Sequence, residues 1–235
     1  MPYFENNGAR IYYEKKGAWE SGRYPVLLLH GNGESMEIFD KTIEPISDRF
    51  PFLAIDTRGH GKSELLNESY DFSYRIFADD VKALVRSLDI NQMDIVGFSD
   101  GAIIALLLAS DSEFAARIMR IVAVGANTNP KGLKGFAHSK IALDKRIADA
   151  KGNKLESALC ALMLREPDIS SDELARIYAS VAVVVGSNDI IKPAHTDRLV
   201  SSIMHARLIV IDGADHMIPQ KFPERLRGVM LDELD

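Results

Sequence analysis

The sequence predicts an α/β fold: a mostly parallel central sheet with helices on both faces and a small helical cap above it. Three observations predict it. Short apolar, β-branched runs alternate with longer segments of helical period along most of the 235 residues. The runs are almost continuously hydrophobic, as expected of strands covered on both faces. One interval, residues 127–179, carries helical patterns with no strand between them. Residues 1–126 and 180–235 therefore read as one core, and 127–179 as a helical insertion, since a structureless loop of that length is implausible in a compact domain.

The elements follow in order. Tyr3, Ile11 and Tyr13 around a polar Asn-Asn-Gly turn predict an antiparallel hairpin leading into the sheet. Strands are expected at Val26–His30, Phe52–Asp56, Asp94–Phe98, Ile121–Gly125, Val181–Gly186 and Leu208–Asp212. Phe77, Val81, Leu84, Val85 and Leu88 mark one face of an amphipathic helix, whereas the run from Ala102 to Ala109 is apolar all round and predicts a central buried helix. In the insertion, Leu133–Ala150 and Leu155–Leu164 read as helices, and Ser-Ser-Asp-Glu from Ser170 resembles a capping box that opens a third.

Composition narrows the function. The chain is 46% hydrophobic and 26% charged with a formal net charge of −6, so it has no basic stripe for a phosphate backbone, and nucleic acid is not expected as a partner. The first residues carry charges where a secretory signal needs an apolar core. The densest apolar stretch, near Ile103–Ala109, is far too short to span a bilayer. A soluble, cytoplasmic protein with no membrane partner is expected. The single cysteine, Cys160, has no disulfide partner and lies in an apolar helical pattern, where free cysteine acts as a small hydrophobe. No two histidines have the spacing of a helical zinc pair, so no metal is expected. Oligomeric state has no signature in the pattern.

The chemistry concentrates at Val-Gly-Phe-Ser-Asp-Gly-Ala-Ile, residues 96–103. A serine at a sharp turn from strand to helix is held exposed above the sheet, and the turn leaves little room for side chains, hence glycines two residues before and after Ser99. The following helix aims its free N–H groups and positive end at the same spot. A serine hydroxyl needs a base within hydrogen-bond reach, itself oriented by a third group. His216 follows the last strand and Asp189 follows the one before it. Both sit where loops reach the C-terminal edge of the sheet, which is where ligand sites lie in such folds. Asp212 and Asp215 are rivals to Asp189. Of the other histidines, His30 and His60 sit in glycine-rich turns and read as loop-holding, His138 belongs to the insertion, and His195 and His205 read as the solvated face of a helix. Asp100 has two readings: an acid favoured at the opening of a helix, or a carboxylate that attracts a cationic substrate group. Phe136, Leu143, Leu159, Met163 and Leu164 either line a pocket or pack the insertion on the core.

Together with His30-Gly31-Asn32-Gly33 and Asp56-Thr57-Arg58-Gly59-His60-Gly61-Lys62-Ser63, these segments give the chain a resemblance to the α/β-hydrolase superfamily that covers almost its full length. The first of these is similar to the family's oxyanion loop, and the second to its D-x-R-G-H-G-x-S turn. The resemblance implies the α/β-hydrolase fold, with the backbone N–H groups of Asn32 and Asp100 as oxyanion hole. It also implies Ser99, Asp189 and His216 as catalytic residues, hydrolysis of an ester or related acyl bond in a small molecule, and no cofactor. The elbow Gly-Phe-Ser-Asp-Gly and the later Gly-Ala-Asn-Thr-Asn-Pro look similar to the biphenyl-hydrolase-like group. Epoxide hydrolases and haloalkane dehalogenases of this fold use an aspartate where this chain has Ser99. Asp215 departs from the small residue usual before the family's histidine. Two other uses of the same residues stay open: an acyltransferase or cofactor-free perhydrolase, and a ligand-binding member without turnover.

Overall fold

The computed structural model describes residues 2–67 and 69–235. Among these residues nine strands form one sheet: β1 (Tyr3–Asn6), β2 (Ala9–Gly17), β3 (Val26–Leu29), β4 (Pro51–Ile55), β5 (Glu64–Leu65), β6 (Met93–Phe98), β7 (Ile118–Val124), β8 (Ser180–Gly186) and β9 (Ala206–Ile211). The order is β1-β2-β4-β3-β6-β7-β8-β9, with β5 beside β2. The hairpin strands β1 and β2 pair antiparallel through the Asn7-Gly8 turn, where both residues have positive φ, and β2 pairs antiparallel with β4, Tyr13 opposite Ile55. From β4 to β9 every pairing is parallel.

The helices are α1 (Asp40–Ile43), α2 (Tyr74–Ser87), α3 (Asp100–Ser110), α4 (Gly135–Lys151), α5 (Lys154–Arg165), α6 (Ser171–Leu174), α7 (Pro193–Ser201), α8 (Ile218–Lys221) and α9 (Pro223–Leu234). Alternation along the strands divides the core in two. Leu27, Leu29, Leu53, Ile55, Ile95 and Ile121 face α2 and α3, while Val26, Leu28, Phe52, Ala54, Val96 and Val122 face α1, α8 and α9. Helix α3 is buried along all eleven residues, so the uniformly apolar run needed no outward polar face. The α/β-hydrolase fold expected from the sequence is thus present, with its mostly parallel sheet and helices on both faces.

Helices α4, α5 and α6 fill the interval between β7 and β8. Observed boundaries differ from the expected ones by a residue or two for α4 and α5. At α6 the capping box is present, Ser170 accepting from the Glu173 N–H and Glu173 reaching back, but the helix is only four residues long. The C-terminal helix α9 was not anticipated, although Leu226, Met230 and Leu234 recur at the four-residue interval of a helix face and are all buried. His195 corrects the sequence reading. It is 3% exposed, not solvated, and its Nε2 accepts a hydrogen bond from the Thr128 N–H at 3.0 Å, tying α7 to the segment leaving β7. Among the described residues, no helix is long and apolar enough to cross a membrane.

Candidate active site

Strand order reverses at β3, whose neighbours are β4 on one side and β6 on the other, and a crevice opens at the C-terminal ends of strands at such a point. The loop Gly31–Glu34 leaves β3 there, and Ser99 leaves β6. Ser99 has φ 51° and ψ −113°, a conformation that a non-glycine residue adopts only when its surroundings impose it. The flanking glycines explain how. A Cβ on Gly101 would lie 1.9 Å from the Leu29 carbonyl oxygen, and one on Gly97 would lie 2.4 Å from the Gly101 oxygen. Strand, turn and helix meet backbone to backbone, and the Ser99 N–H is held by the Val124 carbonyl at 2.8 Å.

Three side chains distant in sequence converge at this turn. His216 Nε2 lies 3.1 Å from Ser99 Oγ, and His216 Nδ1 lies 2.8 Å from Asp189 Oδ1. Asp189 is 3% exposed, and its carboxylate also accepts from the N–H groups of Ile191 at 3.1 Å and Gly186 at 3.3 Å. Burial alone would raise its pKa. The His216 hydrogen bond and charge and the two N–H donors outweigh burial and hold the carboxyl below its ordinary range. An ionised carboxylate only accepts, so Nδ1 carries the ring proton and Nε2 is left to accept from the serine hydroxyl. The rivals do not reach the ring: Asp212 is exposed, and Asp215 accepts from the Met217 N–H and pairs with Lys221.

The Gly31–Glu34 loop passes directly over the elbow, since a Cβ on Gly31 would meet Ser99 Cβ at 3.2 Å. Among the described residues, neither the Asn32 nor the Asp100 N–H donates a hydrogen bond. Asp100 opens α3 but is not its cap. It is 5% exposed, and its two oxygens accept from Tyr74 OH at 2.8 Å and Asn32 Nδ2 at 2.9 Å. Burial pushes its pKa up to about 6 against the pull of those two donors.

The remaining histidines at this edge hold loops, as expected. His30 donates from Nδ1 to the Gly31 carbonyl at 2.7 Å and accepts from the Thr57 N–H at 3.0 Å. His60 donates from Nδ1 to the Arg58 carbonyl at 3.0 Å. Burial presses both pKa values down to about 4, with His30 adding to the effect on His60, so both rings are neutral. The turn they hold is clamped further by Asp56, which accepts from the N–H groups of Met36 and Lys62, both at 2.8 Å. Arg58 forks onto Asp80 at 2.8 and 2.7 Å, both side chains buried.

Beside the Gly31–Glu34 loop lies a cavity of about 510 Å³, walled by Asn32, Glu34 and His60 from the core and by Leu155, Leu159 and Met163 from α5. Leu159 and Met163 thus line it, whereas Phe136 and Leu143 are 66% and 54% exposed and Leu164 faces a different hollow. Sequence reasoning missed Glu34. Burial pushes its pKa up to about 7 against the opposing His216 charge, and its Oε2 is buried without a partner. Its signal was its place two residues after Asn32. Tyr74 was missed as well, because nothing in its local pattern points toward Ser99.

The arrangement has the parts of nucleophilic acyl chemistry, and comparison with known proteins agrees on the family. The profile of the alpha/beta hydrolase fold family matches residues 24–140. A putative non-heme chloroperoxidase of Synechocystis sp. is 26% identical, each chain covered over 100% of its length. The serine hydrolase BPHL of Mus musculus is 24% identical over 97% of this chain and 84% of its own. Among solved structures, the enol-lactonase of Burkholderia xenovorans LB400 superposes with a TM-score of 0.82 at 20% identity, covering 98% of both chains. The fold, the matching profile and these full-length relatives together identify the chain as a member of the α/β-hydrolase superfamily and an enzyme of that hydrolytic kind.

Proposed function

We propose that the protein is a serine hydrolase that cleaves a carboxylic ester, or a related acyl bond, of a small molecule through an acyl-enzyme on Ser99. The observation that carries this reading is the continuous relay from Ser99 Oγ to His216 Nε2 and from His216 Nδ1 to Asp189, set at the N-terminus of a buried helix. His216 takes the hydroxyl proton as Ser99 Oγ adds to the carbonyl carbon, and Asp189 fixes the ring and stabilises its charged form. The N–H groups of Asn32 and Asp100 receive the developing oxyanion, each such donor being worth about 10²–10³-fold in turnover. The tetrahedral adduct collapses, the leaving group takes the proton from His216, and the acyl group remains on Ser99. Water, deprotonated by His216, then adds to the ester and releases the acid through the same oxyanion site.

Helices α4 to α6 act in this reading as a cap whose inner face, Leu155, Leu159 and Met163, meets the apolar part of the substrate. Two structural neighbours, an enol-lactonase and a carboxylesterase of Nitrososphaera gargenis, are named for action on acyl–oxygen bonds, which supports the ester class. The lone, buried Cys160 supports a reducing compartment such as the cytoplasm.

A fluorophosphonate probe tests the reading. Labelling mapped by mass spectrometry to Ser99, absent in Ser99→Ala and accompanied by hydrolysis of p-nitrophenyl esters, is the expected result. Folded protein that neither labels nor turns over such esters would overturn it. Products formed with added alcohol or hydrogen peroxide distinguish water from another acyl acceptor.

A further inference from the structure

We infer that the Asp100 side chain is a positioning residue that ties down the oxyanion loop through Asn32, rather than a receptor for a charged substrate group. This inference rests on the acyl-enzyme reading above. The loop that carries the Asn32 N–H is held on one side by His30, whose Nδ1 donates at 2.7 Å to the Gly31 carbonyl, the carbonyl that shares a peptide plane with this N–H. Past that point the loop is looser: Gly31 and Gly33 flank Asn32, Gly33 has φ 72° with nothing within 4 Å of where its side chain would be, and the only backbone–backbone bond across the turn among the described residues, Glu34 N–H to Gly31 carbonyl, is long at 3.4 Å. Beyond that peptide plane, among the described residues, the backbone of Asn32 has no further hydrogen bond to hold it. The hydrogen bond from Asn32 Nδ2 to Asp100 Oδ2 at 2.9 Å supplies the second hold, from the side of α3.

The other end of the tie is firmly anchored. Asp100 sits in the first turn of α3, a helix buried along its whole length, and so cannot shift with respect to Ser99. Its second oxygen accepts from Tyr74 OH at 2.8 Å. Tyr74 is 1% exposed, and its own N–H and the hydroxyl of Ser73 both donate to Glu166 Oε2, at 3.0 and 3.1 Å. A line of hydrogen bonds therefore runs from the end of α5, through the start of α2 and the residue after the nucleophile, to the oxyanion loop. The two donors facing Asp100 are neutral and each takes one oxygen, so the carboxylate is satisfied without a ligand. At 5% exposure it offers a substrate ammonium almost no surface, and accepting one would require Asn32 to let go.

Displacing an oxyanion donor by about 1 Å costs on the order of 10²-fold, whereas substrate affinity depends mainly on the cavity walls. The test is a kinetic cycle on p-nitrophenyl butyrate with Asn32→Ala, Asp100→Asn and the double variant, with melting temperature followed to confirm folding. Asn32→Ala keeps the backbone N–H and removes only the tie. The expected result is a fall in kcat of about 10–100-fold in each single variant, with KM within about threefold, and no further loss in the double variant. Losses that multiply in the double variant would overturn the inference. So would an Asp100→Asn enzyme that hydrolyses p-nitrophenyl butyrate normally and fails only on an amino-acyl ester.

A second readout does not depend on turnover. In ¹⁵N spectra of the whole protein, Asp100→Asn should shift and broaden the Asn32 backbone amide, and an unchanged Asn32 signal would overturn the inference. If the wild type labels with fluorophosphonate but the Asn32 amide ignores Asp100, the tie fails and the acyl-enzyme stands. If the wild type does not label but the Asn32 amide responds to Asp100, the tie stands and the acyl-enzyme fails.

Discussion

Asp189 and His216 are joined by a 2.8 Å hydrogen bond from the Nδ1 side of the ring, while the opposite nitrogen faces Ser99. The carboxylate is therefore what selects the tautomer. Asp189→Asn keeps the shape but can present an NH₂ group to Nδ1, which favours the tautomer with its proton on Nε2. Turnover should fall by about 10³–10⁴-fold with little change in melting temperature, checked by steady-state kinetics on a p-nitrophenyl ester.

Gly101 is confined by backbone, not by a side chain that can swing away. In Gly101→Ala the new methyl would sit 1.9 Å from the Leu29 oxygen and 2.4 Å from its carbonyl carbon, so β3 and α3 must separate. Overpacking of this kind costs about 1–3 kcal/mol or more, and a domain of this size loses roughly 2–4 °C of Tm per kcal/mol. Leu29 leads straight into the Gly31–Glu34 loop, the proposed oxyanion site, so activity below the melting transition should fall as well.

Arg58 and Asp80 pair in a fork with both side chains under a tenth exposed. Asp80→Ala leaves a buried guanidinium uncompensated and should cost about 3–5 kcal/mol by chemical denaturation. Replacing both partners, Arg58→Met with Asp80→Leu, should cost less than Asp80→Ala alone, because no charge is then stranded.

Glu34 makes stability depend on pH in a definite direction. Its carboxyl is raised from an ordinary 4.5 to about 7 because burial disfavours the charged form. Between those values the native state holds a proton that the unfolded chain has released, so stability is full below about 4.5 and declines as pH rises through 7. Asp100, raised to about 6, contributes in the same direction. Glu34→Gln, which cannot ionise, should melt above wild type at pH 8, with the gap closing by pH 4. Thermal scans across that range check it.

Much of the fold was legible because the inner parallel strands β3, β4, β6 and β8 and helix α3 are hydrophobic for a local reason: each is buried on both faces, whereas the edge strand β9 is apolar yet partly exposed. The meeting of Ser99, Asp189 and His216 was legible because the glycine-flanked turn and the ends of the last two strands are marked in the sequence and lie at one edge of the sheet. What was missed depends on contacts that local pattern does not encode. His195 sits at helical spacing like a surface residue, yet its ring is drawn inward by the N–H of Thr128, 67 residues earlier. One partner of Asp100 is Tyr74, and only the packing of α2 on α3 brings the two together. Helix α9 did carry a periodic signal, at Leu226, Met230 and Leu234, but the charges between them masked it.

Helix α3, enclosed on all sides, has a consequence for how the enzyme loses activity. With no solvent-facing side from which to fray, its amide protons can exchange with deuterium only when the surrounding sheet opens. Ser99, the proposed nucleophile, therefore belongs to the last cooperative unit to unfold. Heat should then leave Ser99 in working geometry until the molecule as a whole melts, so that the inactivation and unfolding curves coincide.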